Sequence, residues 1–190
     1  MTALIPATFE MSVYMTGSVV MLLAQAVRED LLQNRITNAL NLAGLILGLG
    51  LACLAGGASG LVYSAGGALV GCAALLPLYL TRGMGAGDVK LMGATGAFLG
   101  PSGALLAAAL ALIAGAVLAV GLVIWRLVEP RPRLEASPSG EASAVWRAAA
   151  TISIVRKERF PYAVAIAVGV VATLWLRGSL GVLLSALSIG

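Results

Sequence analysis

Six apolar segments recur along the chain, at about residues 11–27, 36–55, 61–80, 89–99, 103–125 and 161–176. A bilayer core about 30 Å thick takes about 20 apolar residues of helix to cross. No water is available there, so only helices and closed barrels satisfy their own backbone groups. Segments this long suit helices rather than barrel strands of about 10 residues. Charged residues are 11% of the chain and the mean hydropathy is +1.00, whereas a soluble domain carries roughly 25% charge. The expectation is an all-α polytopic membrane protein with six transmembrane helices, forming one domain over residues 1–190.

The connections alternate sharply in charge. The first, third and fifth hold Arg28 and Arg35, then Arg82 and Lys90, then Arg126, Arg131, Arg133, Arg147, Arg156, Lys157 and Arg159. Residues 56–60 and 100–102 hold no basic residue, and Arg177 alone follows the last segment. Basic loops stay in the cytoplasm, so both termini are expected outside and three loops inside. The first 27 residues have no Lys or Arg, so the basic start of a secretory signal is missing. The first segment then reads as a retained helix. Pro130, Pro132 and Pro138, among Ser, Glu and Gly, mark a flexible cytoplasmic loop at about 127–159. A short surface helix is expected at about 145–155. Gly44 with Gly48, and Gly67 with Gly71, have the four-residue spacing that lets helices pack closely in lipid.

The chain has two aspartates, Asp30 and Asp88, and no histidine. The topology brings both to the cytoplasmic face although 58 residues separate them. Segment 89–99 is only 11 residues, about 16 Å of helix, so Asp88 is expected below the membrane surface in a cleft open to the cytoplasm. Ionisable groups at that depth point to function. Each has a structural alternative: Asp88 as a helix N-cap, Asp30 as a solvated residue beside Arg28, Glu29 and Arg35, with Glu29 its rival for any role. As a pair they share a proton more readily than both ionise. One carboxylate then serves as base toward water and the other as acid toward a scissile carbonyl. Peptide hydrolysis fits this pair and needs no cofactor or metal.

Without histidine, Ser-His and Cys-His triads and His-ligated zinc are excluded. Cys53 and Cys72 lie in apolar runs without a CxxC spacing and read as small hydrophobes. The basic residues form no stripe, so nucleic acid is not an expected partner. Gly83, Gly85 and Gly87 free the backbone before Asp88 for unusual angles or close approach to a ligand. Asn38 and Asn41 open the second segment as interhelical hydrogen-bonding groups. Lys90 reads as a snorkelling cation or a partner of Asp88. Pro161 and Tyr162 suit the start of the last helix.

The run Gly83-Met84-Gly85-Ala86-Gly87-Asp88-Val89-Lys90-Leu91 resembles the signature of the type IV prepilin peptidases, membrane aspartyl proteases of the GxGD class. Asp30 with Ile36 and Asn38 resembles that family's first aspartate and its downstream Ile-Pro-Asn. The segment beginning Pro161-Tyr162 resembles the Pro-Tyr/Phe-Gly that opens its last helix. Thr37 and Ala163 stand where the family often has Pro and Gly.

The resemblance covers roughly residues 15–175. It implies that Asp30 and Asp88 are the catalytic pair, supported by Gly85, Gly87, Lys90, Asn38, Pro161 and Tyr162. It implies a bacterial inner-membrane enzyme that removes the short basic leader of prepilin-like proteins on the cytoplasmic side. The family's methyltransferase domain, with its paired CxxC motifs, is not found in the chain. The expected form is therefore the short peptidase of tight-adherence (Flp) pilus systems, with the archaeal preflagellin peptidases as the alternative. Readings of another class are a cation or proton transporter and a non-catalytic subunit of a pilus assembly.

Overall fold

The computed structural model describes residues 7–33, 35–128 and 162–178. The order is α1 (Ala7–Gln33), α2 (Asn38–Leu80), α3 (Ala86–Val128) and α4 (Tyr162–Leu176), with no strand among the described residues. The expected loop at 127–159, the short helix within it and Pro161 fall largely or wholly outside the described residues.

Each long element is two helical runs joined at one glycine. Gly57 has φ 59° and ψ −140°, and Gly100 has φ 70° and ψ 176°. A side chain rarely tolerates either conformation. The chain turns back at both. A Cβ built at Gly96 would lie 3.2 Å from that of Ala104, although eight residues of straight helix rise about 12 Å. Gly60 likewise meets the carbonyl of Ala52. The apolar pairs expected at 36–55/61–80 and 89–99/103–125 are present, but their connections shrink from the expected loops to single residues. In α3, Pro101 follows the break, where a missing N–H leaves no ladder bond unmade.

The buried face of α2 is built mostly from small residues, with Gly44 against Leu22 of α1 and Gly48, Gly67 and Gly71 against α3. Asn41, Gly44, Gly48 and Ala52 are buried on one run, and Ser64, Gly67, Gly71 and Leu75 on the other. Both sets recur at three and four residues, one face of a helix. A Cβ at Gly71 would lie 2.5 Å from the Met92 carbonyl oxygen, and one at Gly67 2.8 Å from Gly100. The Ser64 hydroxyl donates to the Ala97 carbonyl at 2.7 Å inside this contact. Helices in lipid gain from such close backbone approach. From α1, Val19, Leu22, Leu23 and Ala26 fill the core beside Leu75, Leu91 and Met92. Large apolar side chains such as Leu54, Leu69, Ile113 and Trp175 point outward. The stretches Asn38–Leu80 and Ala86–Gly121 are long and apolar enough to cross a membrane, and Tyr162–Leu176 is a shorter apolar helix.

Arg177, the basic residue that stood apart from the loop pattern, has a structural role. Its guanidinium donates to the Leu99 carbonyl at 3.1 Å and to the Ser102 hydroxyl at 2.8 Å. It thus satisfies a carbonyl released by the break at Gly100 and ties α4 to α3 at the end of the bundle remote from both aspartates.

At the other end, α2 stops in a short cap. Gly83 N–H donates to the Leu78 carbonyl and Arg82 N–H to that of Tyr79, both at 2.9 Å. Arg82 takes the left-handed conformation (φ 60°) usually given to glycine. Among the described glycines only Gly57, Gly100 and Gly178 have positive φ. The unusual backbone angles expected of Gly83, Gly85 and Gly87 are therefore absent, because Arg82 alone makes the left-handed step of this turn.

Candidate active site

Five helix ends lie about the aspartates: the end of α1, the start and the end of α2, the start of α3, and the start of α4. The sequence suggested loop positions for both aspartates, and the structure places both on helices. Helix α1 runs on to Gln33, so Asp30 sits in its last turns. Helix α3 begins at Ala86, before the expected Val89, and Asp88 lies in its first turn.

Asp88 secures the start of its own helix. Its Oδ2 accepts from Gly85 N–H at 3.1 Å, and its N–H donates to the Gly85 carbonyl at 3.2 Å. An acidic side chain in the first turn reaching back to a free N–H is the acid half of a capping box. Asp88 is therefore not the N-cap: Gly85 stands at that position, and Asp88 serves it from the third residue of the helix. A Cβ at Gly85 would lie 3.1 Å from Asp88 Oδ2, whereas one at Gly87 would meet Ile36 no closer than 3.5 Å. Gly85, not Gly87, is thus the position where a side chain would displace the carboxylate.

Asp30 reaches across the bundle. Its Oδ2 accepts from Ala163 N–H at 3.4 Å. Ala163 is in the first turn of α4, where backbone N–H groups lack helical partners and the macrodipole favours negative charge. Burial raises the Asp30 carboxyl above its ordinary value of 3.8, and the Ala163 N–H partly opposes this. Tyr162, the residue before Ala163, is in electrostatic range of Asp88. Two consecutive residues at the start of α4 thus interact with the aspartates, Ala163 by a hydrogen bond to Asp30 and Tyr162 through the charge of Asp88.

The direction of the Asp30 shift fixes a dependence of stability on pH. A carboxyl with a higher pKa folded than unfolded binds its proton more tightly in the folded state. Its contribution is then complete at pH below the unfolded value and is lost as pH rises through the folded value. The substitution Asp30→Asn removes that loss. The substituted protein should unfold at a higher temperature than wild type at pH 7, with the gap closing near pH 3.8. A gap of the same size at both pH values would show that the charge is not its cause.

Other polar groups surround the pair. Lys90 donates to Asn38 Oδ1 at 2.9 Å, joining α3 to the first residue of α2. Asn41 is 4% exposed, and its Nδ2 donates to the Gly87 carbonyl at 3.1 Å, as expected of an interhelical hydrogen bonder. Glu29, the rival carboxylate, accepts from Thr37 N–H at 2.9 Å and from the Thr37 hydroxyl at 3.3 Å. The sequence did not mark Thr37 as a partner of Glu29. The available signal was a Thr directly before an apolar helix, the usual N-cap. Beside Tyr162 lies a cavity of about 190 Å³ with Leu75, Leu78, Met84, Leu112 and Ile166 in its lining. Among the described residues, no cluster of three or more His, Cys, Asp or Glu side chains is placed to hold a metal ion.

Residues 17–120 match the model of the type IV leader peptidase family. The match spans Asp30, the Gly83–Leu91 run and every one of these helix ends except the start of α4. No curated protein and no solved structure matches the chain.

Proposed function

Because the chain belongs to the type IV leader peptidase family, we propose that Asp30 and Asp88 are the catalytic pair of a membrane aspartyl endopeptidase that cleaves prepilin-like proteins. The observation that carries the reading is the start of α4, where Ala163 N–H meets Asp30 and Tyr162 feels Asp88. That the start of α4 interacts with two carboxylates 58 residues apart in sequence supports reading them as one pair.

In this reading Asp30 holds the shared proton, since burial favours its neutral form. The Asp88 carboxylate takes a proton from a water molecule, and the water oxygen attacks the scissile carbonyl carbon. The Asp30 carboxyl gives its proton to the carbonyl oxygen, forming a tetrahedral diol. The C–N bond then breaks, the amine leaves with the proton taken up by Asp88, and the diol returns its proton to Asp30 as the new acid forms. Water is consumed, and both aspartates end as they began.

The substrate is a protein with a short basic leader ahead of an apolar helix. The cavity beside Tyr162 suits apolar residues next to the cut. The protein crosses the bacterial inner membrane six times, with Gly57 and Gly100 at the outer surface, both termini outside and the aspartates facing the cytoplasm. The basic residues Arg28, Arg35, Arg82 and Lys90 at the aspartate end support this orientation. The tight-adherence pilins are the substrates of choice.

Co-expression with an Flp-type prepilin tests the reading. Wild type should shorten the pilin by the mass of its leader, and a pilin that keeps its full mass would reject the substrate assignment. Within the site, Gly85→Ala should lower turnover about tenfold to hundredfold, since a displacement near 1 Å has that effect on a reacting group. Gly87→Ala should stay within a few fold, and equal losses would contradict the crowding of Asp88 by residue 85.

A further inference from the structure

We propose that Glu29 and Asn41 are positioning residues that set the spacing of Asp30 and Asp88 through the first turn of α2. The inference rests on the reading of those aspartates as the catalytic pair and extends it.

Thr37 is the N-cap of α2, and its Oγ1 accepts from Leu40 N–H at 3.3 Å. In a capping box an acid three residues after the cap would accept from the cap's own N–H. That position is Leu40 here, which has no acceptor. Glu29 of α1 supplies it, taking both the Thr37 N–H and the Thr37 hydroxyl. The helix start is thereby fastened to the residue preceding Asp30. One turn later Asn41 N–H donates to the Thr37 carbonyl at 3.3 Å. The Asn41 side chain donates to the carbonyl of Gly87, the residue preceding Asp88. A carbonyl oxygen only accepts, so the amide NH2 must face it. Asn41 Oδ1 is buried and has no hydrogen-bond partner among the described residues. A buried amide left half satisfied costs stability, and α2 carries that cost at Asn41, which reaches Gly87.

The connection therefore runs from Glu29 through Thr37 and Asn41 to Gly87, with a catalytic aspartate adjacent at each end. The Lys90–Asn38 bond spans the same two elements in parallel. On α1, Glu29 and Asp30 point about 100° apart, as neighbours in a helix do. One turns to α2 and the other to α4.

Two measurements test the proposal. The first uses Asn41→Leu, Glu29→Ala, Glu29→Gln and the double variant Asn41→Leu/Glu29→Ala on a prepilin-like substrate. Asn41→Leu and Glu29→Ala should each lower kcat about tenfold to hundredfold with KM within about twofold, the pattern of a displaced reacting group. Glu29→Gln keeps one acceptor oxygen and should recover most of the loss. The double variant should lose clearly less than the product of the single losses, because both break one connection. Unchanged kcat with lowered thermal stability alone, or losses that multiply in full, would overturn the proposal. Should Asn41→Leu fail to accumulate, the two Glu29 variants carry the test from the other end.

The second measurement needs no activity. Cysteines replace Asp30 and Asp88 in a chain that also carries Cys53→Ala and Cys72→Ala, and a short bis-maleimide joins them by adding one thiol to each maleimide. Adding Asn41→Leu should cut the cross-linked yield severalfold at equal membrane level, and an unchanged yield would overturn the positioning role. A wild type that does not cleave prepilin, with cross-linking still dependent on Asn41, would reject the peptidase reading and leave the connection standing.

Discussion

Asp30→Asn and Asp88→Asn should each reduce leader removal by about a thousandfold, while the protein should stay folded in the membrane. On the proposed mechanism each variant removes one proton-transferring group, a loss of roughly 10²–10⁴ on its own, and deprives the other carboxylate of its proposed partner. Folding should survive because the new amide keeps an acceptor oxygen. In Asp88→Asn that oxygen can still accept from Gly85 N–H, the bond that starts α3. In Asp30→Asn it can still accept from Ala163 N–H at the start of α4. Alanine at either position would remove the cap as well as the chemistry, a further cost of about 1 kcal/mol. Turnover and unfolding temperature measured on the same purified samples separate the two effects. Loss of activity in step with loss of fold would count against a chemical role.

The second large effect lies at the opposite end of the bundle. Gly100→Val should prevent stable accumulation, although no residue near it takes part in the proposed chemistry. A φ of 70° with ψ of 176° is essentially confined to glycine, and a side chain forced into it costs about 1–3 kcal/mol. The Tyr63 ring also occupies the place of a Cβ, with its Cζ at 2.5 Å and its hydroxyl oxygen at 2.7 Å. Overpacking of that kind typically adds about 1–3 kcal/mol. Together these come to about 2–6 kcal/mol, which reaches the lower end of the stability of an ordinary domain, about 5–15 kcal/mol. Gly57→Ala isolates the first part, since its φ is 59° and nothing lies within 4 Å of its Cβ. It should be milder, and Tyr63→Ala should partly rescue Gly100→Ala. Equal damage at residues 57 and 100 would show that the ring is not the cause.

The apolar segments were legible because a bilayer imposes one length and one polarity on whatever crosses it. The small-residue face of α2 was legible as spacing, and its partners Met92, Ala97 and Gly100 emerged only with the fold. The Gly83–Leu91 run and Asp30 were recognisable by resemblance, but their setting was not. Charged residues such as Arg28, Glu29 and Asp30 read as loop, yet they extend α1 beyond its apolar stretch because nothing there stops a helix. Asp88 read as lying ahead of its helix, although a helix starting at Ala86 uses it in the first turn. Arg82 in a left-handed conformation gave no signal, since that position usually belongs to glycine. Long-range hydrogen bonds were the least accessible. Arg177 to Leu99, Asn41 to Gly87 and Asp30 to Ala163 span 78, 46 and 133 positions, and no local pattern encodes such partners.

The central claim is that two aspartates from distant parts of the chain form one peptide-cleaving site. The most direct measurement places the purified chain in liposomes with a prepilin-like protein and weighs both fragments. Wild type, Asp30→Asn and Asp88→Asn are compared, each with and without a metal chelator. Wild type should make one cut between leader and apolar helix, at a rate the chelator leaves unchanged, and neither variant should cut. Cleavage that survives in one of the variants, or that the chelator abolishes, would contradict the claim.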